Sequence, residues 1–198
     1  MHDADLHVQL TDSITVISAL AEHQGTIAAI AARITASLGA GGTIYLCGNG
    51  GSAADAQHVA AEFVGRFLRE RRPLPAVALT CNTSILTAVG NDYGFEQIFA
   101  RQVKAHVHPQ DCVVGISTSG QSANVLAAFV AARERGAVTI GFTGAEGDAL
   151  AALCDECLRV PSTNTPRIQE AHLVAWHLIC DLVECRFTAE PMSSEGAR

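Results

Sequence analysis

Apolar residues recur at helical spacing through the first 38 positions: Leu6, Leu10, Ile14, Ile17 and Leu20, then Ile27, Ile30, Ile34 and Leu38. That pattern predicts two helices, with Gly25 as the break between them. Gly39, Gly41 and Gly42 then punctuate the chain ahead of a short apolar run, Thr43 to Cys47, which reads as a buried strand. Runs of the same kind recur at Ala76–Thr80, Cys112–Ile116, Val138–Phe142 and Leu158–Val160. Helical patterns fill the intervals, over Ser52–Leu68, Ile85–Val89, Phe95–Val107, Ala123–Arg135 and Arg167–Phe187. Short strands alternating with helices predict an α/β fold: a three-layer sandwich around a five-stranded parallel sheet. The expected organisation is a helical segment over 1–38, one α/β domain over 39–188 and a frayed polar tail over 189–198.

Composition narrows the function classes. The chain has 198 residues, 48% apolar but only 5% aromatic, which suits a helix-rich α/β domain. Its net charge of −7 is spread without blocks, and the one short basic run, Arg69 to Arg72, contains Glu70. A nucleic-acid partner is therefore not expected. No run approaches the roughly 20 uninterrupted apolar residues of a membrane span. The first residues, Met1 to Asp5, are acidic, unlike the positive start of an export signal, so a cytoplasmic protein is expected. Seven cysteines, an odd count, read as reduced thiols, with Cys154 and Cys157 as a lone C-x-x-C set aside as structural. Lys104 is the only lysine and lies in a polar stretch, which argues against Schiff-base chemistry.

Two loops follow predicted strands at their carboxyl ends, where open parallel sheets bind ligands. The first, Gly48-Asn49-Gly50-Gly51-Ser52, lets backbone approach a ligand at a helix start, and it also suits a tight turn with Ser52 as N-cap. Its spacing does not match a dinucleotide fingerprint. The second, Ser117-Thr118-Ser119-Gly120-Gln121-Ser122, puts four hydroxyls within six residues at a helix start. A simple cap needs one hydroxyl, so four point to a nest for a phosphomonoester. No Gly-Lys-Ser/Thr follows, which excludes a nucleotide-hydrolysing P-loop.

A third constellation carries metal chemistry. His58 and Glu62, four apart, share a helix face about 40° apart, and an imidazole with a carboxylate suits a divalent ion such as zinc. The last helix offers Gln169 with two histidines. His172 lies about 60° to one side of Gln169 and His177 about 80° to the other, so the two histidines do not serve one ion together. Periodicity alone leaves the choice between them open.

Several motifs taken together carry a resemblance. They are Cys47-Gly48-Asn49-Gly50-Gly51-Ser52, Asp55-Ala56-Gln57-His58 with Glu62, Leu74-Pro75-Ala76-Val77-Ala78-Leu79, Gly90-Asn91-Asp92-Tyr93, Ser117-Thr118-Ser119-Gly120 with Ser122, and Arg167-Ile168-Gln169-Glu170 with His177. On these the chain resembles the SIS (sugar isomerase) domain family, over nearly its whole length to about Phe187. Within that family it looks like the members that isomerise a seven-carbon sugar phosphate. The resemblance implies a flavodoxin-like sheet with N-terminal helices added. It implies one zinc ion per subunit on His58, Glu62, Gln169 and His177, which leaves His172 as a helix-surface or interface residue. It puts the phosphate on Ser117, Thr118, Ser119 and Ser122 and the sugar on Asn49, Gly50, Gly51, Asn91 and Asp92. Ser52, His58, Glu62 and Gln169 complete the substrate set. Glu62 would be the base and His177 its acid/base partner, in a homotetramer with sites at subunit interfaces.

The reaction so implied converts sedoheptulose 7-phosphate to D-glycero-D-manno-heptose 7-phosphate through an enediol, opening heptose nucleotide biosynthesis. Two non-catalytic readings compete: a SIS relative that binds a replication initiator, and a sugar-phosphate sensor. Either would keep the serine nest without needing Glu62 and His177.

Overall fold

The computed structural model describes residues 3–188. The polar tail expected over 189–198 lies outside the described residues. Helix α1 (Asp3–Ser18) runs through a 3-10 turn (Ala19–His23) into α2 (Gln24–Gly39). The sheet then begins: β1 (Ile44–Gly48), α3 (Gly51–Val64), β2 (Ala76–Ala78), α4 (Thr83–Tyr93) and α5 (Ala100–His106). It continues with β3 (Cys112–Ile116), α6 (Ala123–Glu134), β4 (Val138–Thr143), α7 (Asp148–Ala151) and β5 (Glu156–Arg159), and α8 (Thr165–Phe187) closes the described chain.

All five strands are parallel, in the order β2-β1-β3-β4-β5. From β1 the chain goes outward to β2, then returns to β3 on the other side. Connections therefore diverge between the carboxyl ends of β1 and β3, which is where such a sheet opens a crevice. Alternation along the strands sorts the two faces. Ile44, Leu46, Cys112, Val114, Ile116, Ile140 and Phe142 pack with α2, α3 and α8. Cys47 and Val113 face α5 and α6 on the other side.

α2 belongs to this core: Ile30 and Ile34 are fully buried with Ile44 and Ile179. An 18-residue window in the helical stretch Asp5–Gly39 reaches a mean hydropathy of 1.2, enough by length and composition for a membrane span. Packing of α2 under the sheet accounts for its share of that apolarity. α1 is different. Leu6, Leu10 and Ile14 are 54%, 64% and 64% exposed.

Several boundaries depart from the sequence pattern. The break between the N-terminal helices falls at Ala19–His23, and Gly25 lies inside the first turn of α2. The tighter turn lets Leu20 reach the core, 4% exposed. The stretch read as one helix over Phe95–Val107 is a 3-10 turn, Phe95–Gln97, followed by α5. The short helix α7 had no apolar period to announce it.

Candidate functional site

The serine loop leaves β3 and enters α6. Ser117 is 4% exposed and its hydroxyl shares a 2.9 Å hydrogen bond with that of Ser122. Gln121 N donates to Ser119 Oγ (3.2 Å) and Gly120 N to the Ser117 carbonyl (3.0 Å), which curls the loop on itself. Gly120 has φ +65, and a Cβ there would meet Gly147 Cα at 2.4 Å, so only glycine fits. Ser122 is the N-cap residue of α6 but makes no side-chain cap bond, so its hydroxyl turns to Ser117 instead. The α6 start thus keeps free amide donors beside a rim of hydroxyls, with the positive end of the helix dipole behind them.

The first loop is tied to the second. Asn49 Nδ2 donates to Asn124 Oδ1 (2.9 Å) and Asn124 Nδ2 to Asn49 Oδ1 (2.8 Å), a closed amide pair across the crevice. Asn124 is 2% exposed. Gly50, at φ +57, is the N-cap of α3, where the sequence pattern suggested Ser52. Ser52 lies one position into the helix and is buried, its backbone against Gly48. Without a side chain, Gly51 leaves room for Gln169: a Cβ there would lie 2.6 Å from Gln169 Nε2.

Two turns further along α3 the remaining residues meet α8. His58 Nε2 lies 3.2 Å from His177 Nε2 and 3.7 Å from Glu62 Oε1. The two imidazoles cross at 71°. Among the described residues no three His, Cys, Asp or Glu side chains form a ready metal set on their own. These three groups converge short of a closed shell, while Gln169 lies against Gly51 at the start of α3. The donor spacing still fits zinc, since zinc–ligand bonds of about 2.0–2.1 Å in a tetrahedron give donor–donor edges of roughly 3.3–3.4 Å. The carboxyl of Asp55, one turn before His58, is pushed above its ordinary value by burial, and His58 partly opposes the shift.

Other expected residues lie elsewhere. Asn91 and Asp92 sit at the exposed end of α4, where Asn91 Nδ2 donates to Asp92 Oδ1 (2.8 Å); neither bonds to the two loops. His172 is no surface or interface residue. It is fully buried, with Nε2–H donating to the Thr143 carbonyl (3.2 Å) at the end of β4. Burial pushes its pKa down to about 4, so it stays neutral. This follows from helix geometry: the α8 face that carries His172 also carries Ile168, Ala175 and Ile179 of the core.

Asn124, Arg71 and Glu184 were not foreseen. Glu184 and Arg71, each with a side chain 1% exposed, form a buried pair (3.4 Å) between α8 and the segment after α3. Arg71 donates to the carbonyls of Glu62 (2.7 Å), Phe63 (2.9 Å) and Gly65 (3.1 Å), capping the end of α3. One signal was available for Glu184: it lies seven residues, two full turns, after His177 on the same helix face.

Comparison with known proteins agrees with the fold. The SIS domain family model matches residues 10–144. The chain is 63% identical to the phosphoheptose isomerase of Rhodospirillum rubrum over 158 residues, covering 80% of this chain and 84% of that protein. It is 56% identical to the phosphoheptose isomerase of Geobacter sulfurreducens, over 92% of this chain and 97% of that one. The solved phosphoheptose isomerase of Francisella tularensis superposes with a TM-score of 0.89 at 39% identity, covering 93% of this chain and 100% of that one. That of Neisseria gonorrhoeae gives 0.87 at 42%, covering 92% and 98%.

Proposed function

The chain belongs to the SIS domain family, and we propose that it works as an aldose–ketose isomerase taking sedoheptulose 7-phosphate to D-glycero-D-manno-heptose 7-phosphate. The relatives named as phosphoheptose isomerases support the substrate. The observation that carries the chemistry is the meeting of His58, Glu62 and His177 at the crossing of α3 and α8. A silent sugar-phosphate sensor needs the serine loop alone.

The site reads in the order of the substrate. The phosphate rests on Ser117, Thr118, Ser119 and Ser122 and the amides behind them. The sugar chain passes Asn49, Gly50 and Gly51 towards Gln169. From Gly51 to His58 the helix rises about 10 Å, a reach that suits a long sugar chain better than a triose. Glu62 takes a proton from C1 of the ketose while the C2 carbonyl collects electron density, giving the enediolate. The proton returns at C2, O1 gives up its hydrogen as C1 becomes the aldehyde, and His177 carries the proton between the oxygens. The Glu62 carboxylate accepts no hydrogen bond from any described protein group and has His58 Nε2 at 3.7 Å, so a proton taken from the substrate meets no protein hydrogen bond that must first break. A zinc ion held by His58, Glu62, Gln169 and His177 would supply positive charge for the developing oxyanion.

The reading extends to a homotetramer with its sites at subunit interfaces. Support comes from the bare apolar stripe of α1 and from a groove lined by Ile17, Leu20, Ile27, Val174, Leu178 and Leu182 beside it. Seven free thiols suit action in the reducing cytoplasm. The test is to incubate the purified protein with sedoheptulose 7-phosphate and follow the aldose by NMR, before and after chelation and zinc return. Turnover lost to chelator and restored by zinc is the expected result. Binding without turnover under every condition would leave the sensor.

A further inference from the structure

His177 lacks the usual anchor of a metal-facing histidine. Such a ring normally donates its second N–H to a carboxylate or carbonyl, which fixes its orientation. Among the described residues no protein group bonds to His177 Nδ1. What lies against the ring instead is Phe67, stacked at 5.4 Å between centroids and 27° between planes.

Phe67 is held there by an unusual amount of structure. It lies just past the end of α3, in a segment with no helix or strand of its own. The Glu184 carboxylate accepts three successive backbone N–H groups from that segment: Phe67 (2.9 Å), Leu68 (2.7 Å) and Arg69 (2.8 Å). Arg71 then locks the same carboxylate to the carbonyls that end α3. A buried acid, three amides and a buried guanidinium are spent on one short turn, and that turn presents the Phe67 ring to His177.

We propose that Phe67 is a positioning residue for the proposed site: its ring, fixed by Glu184, holds the His177 imidazole edge-on to His58 in place of a hydrogen bond to Nδ1. This rests on the reading of His58 and His177 as the reacting, metal-binding pair. The ring can swing about its own side-chain bonds if nothing covers its face, and a swing separates the two Nε2 atoms that now stand 3.2 Å apart. Orientation, not substrate affinity, is what Phe67 contributes.

Three measurements on the full chain, with Phe67→Leu and Phe67→Tyr, test this. Phe67→Leu keeps apolar bulk but removes the flat face; Phe67→Tyr keeps the face. In Phe67→Leu the zinc dissociation constant, read by competition with a chromophoric chelator, is expected to rise about tenfold. The kcat on sedoheptulose 7-phosphate should fall about as much, with KM within about twofold, and Phe67→Tyr should stay near wild type in both. NMR of histidine-labelled protein should show the His177 ring protons displaced by the Phe67 ring current, and returned towards the exposed histidines in Phe67→Leu. Unchanged zinc affinity and kcat in Phe67→Leu, an equal loss in Phe67→Tyr, or a loss confined to KM would overturn the proposal. A wild type that neither turns over nor binds zinc defeats the isomerase reading instead. In that case the His177 resonances alone decide whether Phe67 holds the ring, and resonances unmoved by Phe67→Leu overturn it.

Discussion

The serine loop and the crossing of α3 with α8 are the two parts of the proposed site, and they are built in opposite ways. The loop is local: six consecutive residues between a strand and a helix, curled by their own hydrogen bonds and by one glycine at φ +65. The crossing is assembled from afar. His58 and His177 are 119 positions apart, and the clamp beneath them joins Phe67 to Glu184 across 117. In the proposed isomerase the local device of backbone amides and hydroxyls would take a phosphate whatever is attached to it. The chemistry on the far end of the sugar would depend on tertiary structure, which makes it specific and also easy to lose. A SIS-type sensor and an isomerase can share the first region and differ only in the second.

Substitutions on the two sides should therefore separate kcat from KM. The largest effect is expected from Glu62→Gln, which keeps the shape and removes the base: kcat should fall by about a thousandfold, with sedoheptulose 7-phosphate binding by calorimetry nearly unchanged. Activity near wild type would move the base elsewhere. Ser117→Ala should do the reverse, raising KM about tenfold through loss of one hydrogen bond to a charged phosphate while kcat holds. A matching drop in kcat would mean that the loop also orients the reacting end. Asn124→Ala probes the seam between the regions. It leaves the Asn49 amide without its partner, and a loss of about 1–3 kcal/mol in kcat/KM is expected, shared between the two constants. Steady-state kinetics that show no change would make the amide pair a structural tie only.

The same contrast explains what the sequence disclosed. Local features were legible: the strands, the glycine turn and the four hydroxyls all speak within a few residues. So was the pairing of His58 with Glu62, because one helical turn separates them. The choice between His172 and His177 was not legible from period alone, since both flank Gln169 and only the direction of the sheet says which side is core. The motif resemblance chose His177, and the packing of His172 against Phe142 at 5.6 Å gives the physical reason. Serine suits the cap of α3, and Ser52 is one way to start that helix, but Gly50 takes the position through a positive φ that only glycine adopts readily. Arg71 and Glu184 were invisible because charged residues are read as solvated until a partner is known, and theirs lies across the fold.

His172 itself supplies the smallest expected effect on turnover, and it joins the two regions. It stands on α8, which carries Gln169 and His177, yet it donates to the end of β4, whose next residue, Gly144, donates to the Thr118 carbonyl of the serine loop (3.0 Å). Because a carbonyl only accepts, Nε2 carries the proton, and the buried Nδ1 is left bare and without a partner. Burial, the main cause, holds the folded pKa at about 4, below the ordinary 6.5. The unfolded chain therefore binds a proton below pH 6.5 that the folded one refuses until about pH 4. Stability contributed by neutral His172 is complete above pH 6.5, declines as pH falls, and by pH 4 should have dropped by about 3 kcal/mol. Other groups titrate in the same range, so the informative quantity is the difference between wild type and His172→Gln, whose amide can still donate to Thr143. Melting temperatures measured across that window should converge as the pH is lowered, with kcat at neutral pH little changed. Parallel curves would mean that His172 takes up its proton in the fold over the same pH range as in the unfolded chain, and that burial does not keep it as a neutral strut between the two regions.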